Sequence, residues 1–188
     1  MKNQIVIFLV SFCSLAGFTA SNPNILTDKA KMLLIQTEQW KSEKVNVQIK
    51  DESGNLVLDE TVKNVNSARR YNLKNLPNGI YTLEMSNTLK ITIQNFEIVG
   101  TEVLVSKEVK TTFKPVINWN NKNLDINLLT LGKKASLNIY DDSNNIIFSE
   151  NLNENVVNKR YNISKLSSGD YTVNMIVDGR SYYKSITK

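Results

Sequence analysis

Two short loops bring oxygen-bearing side chains close enough together to do chemistry: Asp51-Glu-Ser-Gly-Asn55 and Asp141-Asp-Ser-Asn-Asn145. The chemistry would be calcium binding, which draws on about six to eight oxygens. Neither loop offers enough well-spaced carboxylates for that sphere, and Asp and Asn are also the residues that close hairpin turns. A glycosidase would need two acids converging across a cleft, whereas adjacent residues in extended chain point to opposite faces. The chain has no histidine, and its single cysteine is Cys13. A neutral-pH acid/base, a thiolate nucleophile and a Cys/His zinc site therefore all lack their usual side chains. GxSxG, phosphate-loop and dinucleotide fingerprints are also missing. The expectation is a protein that is not an enzyme and carries no metal or cofactor.

Aromatic side chains offer the other chemistry, stacking on sugar rings. Trp40, Trp119, Tyr140, Tyr182 and Tyr183 are the available rings, and Trp40, Trp119 and Tyr183 are the candidate ligand contacts. Against them, tryptophan in such strands is more often core than platform, and the two tryptophans fall in different halves of the chain. Consecutive Tyr182 and Tyr183 place one ring inward and one outward. The net charge of +5 and pI near 9.2 are no nucleic-acid footprint, because the lysines are interspersed with Asn and Asp rather than gathered in a stripe. No nucleic-acid partner is expected, and a protein or glycan partner is left unnamed.

The elements that position these residues are written twice. Val45 to Met85 lies over Ala135 to Met175 without a gap, keeping Ile49/Ile139, Asp51/Asp141, Tyr71/Tyr161, Leu76/Leu166, Gly79/Gly169, Tyr81/Tyr171 and Met85/Met175 identical. Apolar residues recur at every second position, as in Val45-Val47-Ile49 and Tyr81-Leu83-Met85, the period of strands with one buried face. The acidic loops become hairpin turns, closed by Gly54 and Asn144 in left-handed backbone. Asp178-Gly179 and Asn87-Thr88 mark a second hairpin in each copy. Six or seven short strands per copy predict an all-β fold: two tandem Ig-like, fibronectin type III-like β-sandwiches.

The most conserved phrase between the copies, "RRYNLKNLPNGIYTLEM" and "KRYNISKLSSGDYTVNM", reads as a structural corner. Leu76 and Leu166 plug the end of each core, and Gly79 and Gly169 allow the crossover. Tyr81 and Tyr171 bury their rings while each hydroxyl reaches a backbone carbonyl across the turn. Ahead of the first copy, Met1-Lys-Asn-Gln and the apolar run "IVIFLVSFCSLAGF" have the form of a cleaved secretory signal peptide, too short to span a bilayer. The expected division is signal peptide 1–20, first sandwich 21–100 and second sandwich 101–188, with Gly100 marking a short linker. No transmembrane segment is expected in the mature chain.

The "V-x-I-x-D-x-x-G-N" hairpin followed by "R-x-Y-N-L-x-x-L-P-x-G-x-Y-x-L" resembles the Ig-like sandwich domains of secreted proteins in bacteria that use type IX secretion, including the C-terminal sorting domain. The resemblance covers Val45 to about Ile98 and Ala135 to Lys188, and the second copy ends, as sorting domains do, in a strand with a basic tail, "YYKSITK". It implies export to the periplasm, cell surface or exterior. Three functional readings follow: an interaction or adhesion module, a targeting module of the sorting type, and a carbohydrate-binding module.

Overall fold

The computed structural model describes residues 24–28, 31–37, 40, 44–63 and 68–188. The leader expected at 1–20 lies outside the described residues. Strand after strand follows the two-residue period. β3 (Lys44–Asp51) buries Val45, Val47 and Ile49, and β6 (Gly79–Ser86) buries Tyr81, Leu83 and Met85. Residues that alternate with them face the other side of the sheet.

In the first unit, β1 (Asn24–Asp28), β2 (Met32–Gln36) and β5 (Arg69–Asn72) form a three-stranded sheet in the order β1-β2-β5. Opposite it, β4 (Leu56–Lys63), β3, β6, β7 (Lys90–Val99) and β8 (Glu102–Phe113) form a five-stranded sheet, β4-β3-β6-β7-β8. All pairings are antiparallel. Leu33 and Ile35 from the small sheet meet Val47, Ile49, Leu83, Met85, Phe96 and Ile98 from the large one, all of them essentially without solvent contact. Burying each such side chain stabilises the fold by about 1.5–3 kcal/mol.

The second unit repeats the plan. β9 (Val116–Trp119), β10 (Asn123–Leu129) and β13 (Val156–Asn162) form one layer in the order β13-β10-β9. β11 (Ala135–Tyr140), β12 (Ile146–Leu152), β14 (Asp170–Val177) and β15 (Arg180–Thr187) form the other, β12-β11-β14-β15. Its core of Leu124, Ile126, Leu137, Val173, Met175 and Val177 is separate from the first. The chain is thus all-β, with two tandem Ig-like sandwiches.

The boundary between them differs from the one expected at residue 100. β8 pairs along β7 from Lys90–Phe113 to Val99–Glu102, and Val103 enters the first core. Gly100, at φ 61°, makes the turn of this hairpin rather than a linker. The first unit therefore runs to Phe113 and has eight strands among the described residues, against seven in the second.

Candidate functional site

Both acidic loops turn their carboxylates inward on themselves. Asp51 accepts from the backbone N–H of Asn55 at 2.8 Å with one oxygen and from its side-chain amide at 2.9 Å with the other. Asp141 accepts from the N–H groups of Ser143 and Asn145 at 3.0 and 2.8 Å and from the Asn145 amide at 3.1 Å. The Asn side chain first, then the backbone donors, hold both carboxyls below the ordinary value of 3.8. Gly54 and Asn144 take the left-handed conformation at φ 83° and 61°. Both acids build their turns, and the described residues contain no cluster of three or more His, Cys, Asp or Glu that could hold a metal.

The corner residues sit where the two sheets of each unit meet. Tyr81 is buried, stacks on Phe96 with centroids 5.4 Å apart, and donates its hydroxyl to the Pro77 carbonyl at 2.9 Å. Tyr171 is buried and donates to the Ser167 carbonyl at 2.9 Å. Leu76 and Leu166 pack against their respective cores. Gly79 and Gly169 have φ of 151° and 157°, and a Cβ at either would meet nothing within 4 Å, so glycine is required by backbone conformation rather than by space. A lysine ammonium caps each corner from a different place in the chain. Lys31 donates to the Leu76 carbonyl at 3.0 Å, and Lys188 to the carbonyls of Ile163, Ser164 and Leu166.

The three candidate ligand-contact aromatics are not brought together. Trp40 lies in the first core, 4% exposed, with the Lys90 ammonium 4.6 Å from its ring centroid; this corrects its reading as a ligand contact, because the ring is covered by protein. Trp119 is partly buried and packs against the second core. Tyr183 is 69% exposed, while its neighbour Tyr182 packs inward, as strand alternation requires.

Sequence reasoning missed a charged seam between the units. Glu84 alternates with the core residues Leu83 and Met85, so it stands on the outer face of the five-stranded sheet, where solvent would be expected. Instead it is only 9% exposed, because Arg180 of β15 lies across it in a two-pronged ion pair, 2.9 Å at each contact. Lys50 adds a longer contact to the same carboxylate at 3.4 Å. The Arg180 hydrogen bonds outweigh burial and hold the Glu84 carboxyl below 4.5. Beside this pair, Lys133 bonds both Asp178 at 2.7 Å and the Thr112 hydroxyl of β8 at 2.5 Å. The tip of the β14–β15 hairpin thus stands on the first sheet. A sequence signal did exist: between the copies Glu84 aligns with Asn174, so the acid of the seam falls where the duplicates have diverged, while Arg180 aligns with another cation, Lys90. A carboxylate so paired is a fastener, not a free base.

No curated protein matches the chain. One solved structure, titled "Biofilm associated protein - BSP domain", is 16% identical with a TM-score of 0.30; the similarity covers 87% of this chain and 28% of that one. A family model described as the secretion system C-terminal sorting domain matches twice, over residues 29–99 and 115–188, once in each sandwich, leaving all of β8 between the two matches. By its two matched sandwiches, the chain belongs to the secretion system C-terminal sorting domain family.

Proposed function

We propose that this is an exported, non-catalytic module that acts by being recognised: a sorting-type sandwich routes the protein through a type IX secretion system to the cell surface or beyond. The observation that carries the reading is that residues 115–188 match the sorting family and also close a hydrophobic core of their own. A signal of that kind must survive as a folded unit. The chemistry supports a recognition role. Histidine is absent, Asp51 and Asp141 hold their own loops, and Glu84 is held by Arg180. What remains for contact is backbone at sheet edges and side chains at sandwich ends, the usual working surfaces of such folds. The deciding experiment removes residues 115–188 in the native host and separately fuses them behind a reporter bearing a secretory leader. Retention of the truncated protein inside the cell envelope and appearance of the reporter outside are the expected results. An unchanged location of the truncated protein would defeat the targeting role.

An interaction or adhesion role at the surface is the companion reading, favoured by the apolar residues left exposed along β12, where Ile146, Ile147 and Phe148 are 58%, 42% and 37% exposed. The equivalent β4 residues Leu56 and Val57 are exposed as well. Binding of the purified protein to whole cells, lost when Ile146 and Ile147 are replaced by Ser, would support it.

A further inference from the structure

The duplicated fold contains its own control experiment, because one sheet edge is covered in the first unit and, among the described residues, bare in the second. In the first unit, Asn87 donates to the Lys90 carbonyl at 3.0 Å on the β6 side, and Lys114 donates to the Leu89 carbonyl at 2.8 Å on the β8 side. In an antiparallel strand bonds go alternately to the two neighbours. Ile91 opposite Thr112 and Ile93 opposite Lys110 therefore bond to β8, as does Glu97 opposite Leu104 beyond the irregularity between Gln94 and Phe96. In the second unit, Gly169 and Lys188 exchange both backbone bonds, at 3.0 and 2.9 Å. From that pair the register assigns Ile186, Lys184, Tyr182 and Arg180 to β14. Ser181, Tyr183, Ser185 and Thr187 are left with N–H and C=O directed away from it. Ser181, Tyr183 and Thr187 are the counterparts of Ile91, Ile93 and Glu97, and Ser185 that of Asn95, which lies in the irregularity of the β7–β8 ladder. β15 is the last strand of its sheet, so no described strand answers them.

Side chains record the same difference. Thr92 is 1% and Gln94 7% exposed, and the Gln94 amide donates across to the Ser106 carbonyl of β8 at 2.7 Å. At the corresponding places in β15, Lys184 is exposed and Tyr182 is half-buried, while Tyr183, the counterpart of half-buried Ile93, is 69% exposed. An open edge is a template for strand addition unless it is short, bulged or covered. The outer strands β4 and β12 are each met by an irregularity, at Ile49/Lys50 and Ile139/Tyr140. β15 pairs with β14 over all eight residues with no shift of register.

From this we infer that the outer edge of β15, from Tyr183 to Thr187, is a strand-docking site, and that its occupant is an extended, β-branched segment of a second protein, added antiparallel as β8 is added to β7. The internal strand defines the chemistry: Glu102–Phe113 carries Val103, Val105, Val109, Thr111 and Thr112 among mixed charges. Main-chain bonds would give the affinity, and Tyr183 and Lys184 would select the side chains opposite them. The inference stands independently of the targeting role, since it concerns what pairs with the edge and not where the protein travels.

The test uses the full mature chain and a labelled synthetic peptide with the sequence of Glu102–Phe113. In the monomeric protein, the amides of Tyr183, Ser185 and Thr187 should exchange with solvent rapidly while those of Tyr182, Lys184 and Ile186 are protected, and the peptide should slow the first set. Tyr183→Pro, which removes an outward donor but no bond to β14, should weaken binding about tenfold or more, because each lost bond and the blocked edge add. Tyr183→Val, which keeps the backbone, should bind within about threefold of the parent. Protection of the odd-numbered amides already in the monomer, or peptide protection that maps to β4 or β12 instead, would overturn the inference. So would concentration-dependent protection without peptide, which would make a second copy of this chain the occupant. The exchange pattern of the unsubstituted protein decides the matter even where Tyr183→Pro fails to fold.

Discussion

Arg180 of the second sandwich grips Glu84 of the first with both prongs of its guanidinium, at 2.9 Å each, on a sheet face that a free-standing unit would give to water. The pair joins the two units beside the Lys133–Thr112 bond and Phe113 of β8, which packs against the second core. Replacing Glu84 by Gln should cost about 1–3 kcal/mol, because charge-assisted bonds are lost and part of the guanidinium stays covered. Urea denaturation of E84Q measures the loss, and the span between the units should widen in solution scattering. A stability unchanged from the parent would mean that the seam contributes nothing.

Acid should act on the same pair in a predictable direction. The Arg180 hydrogen bonds hold the Glu84 carboxyl below 4.5 in the folded chain. A carboxylate depressed in this way contributes its full stabilisation above about pH 4.5 and loses it as the pH falls through its lower folded value. The difference in urea midpoint between the parent and E84Q should therefore be constant from pH 7 to about pH 5 and shrink below it. Other carboxylates titrate in both proteins and cancel in that difference.

Much of this fold was legible because it is written in local alternation and in the doubled corner. Val45-Val47-Ile49 and Tyr81-Leu83-Met85 name their buried face without help from the rest of the chain. Local pattern could not tell whether the chain turns back after Gly100 or passes on, since a glycine serves a hairpin and a linker equally well. Only the partner strand decides, and β7 has to be in place before β8 reads as its neighbour. Trp40 was ambiguous for a related reason: an aromatic ring suits a core or a sugar, and only the packing around it, including Lys90 over the ring, distinguishes the two. The seam lay furthest from view, because Glu84 and Arg180 meet across units and each alone looks like an ordinary outward-facing charge.

The tyrosine corners should lose little when the hydroxyl alone is removed. Tyr81→Phe and Tyr171→Phe each delete one bond to a turn carbonyl, and each should cost about 1 kcal/mol. Tyr81→Ala, which also empties the space against Phe96, should cost about 3–5 kcal/mol. Equal losses for Phe and Ala at Tyr81 would show that the ring contributes nothing beyond its hydroxyl.

At the neighbouring glycines the expected cost is conformational. Gly79→Ala and Gly169→Ala place a Cβ in open space but force alanine to φ values near 150°, which only glycine adopts comfortably. Each should destabilise its unit by about 1–3 kcal/mol without disturbing the core. Thermal melting followed by circular dichroism checks the loss, and unchanged side-chain NMR signals for Leu83 and Val173 check that packing is intact.

The place of β8 gives the sharpest test of where the first unit stops. A truncation after Val99 would strip the partner from β7, expose the buried Ile98 edge of the core and remove Val103, which is 4% exposed. The lost side-chain burial alone is about 1.5–3 kcal/mol, and the ladder bonds add to it. For a unit of this size, a loss of that order lowers the melting temperature by roughly 10–20 °C. The freed β7 edge would also invite pairing between molecules. A truncation after Phe113 keeps every one of those contacts and should remain monomeric, with a cooperative melt. The two truncations differ by one hairpin arm, so the gap between their melting curves reports what β8 contributes to the first sandwich. Indistinguishable curves would return β8 to the second unit and withdraw the comparison of edges on which the docking site at β15 rests.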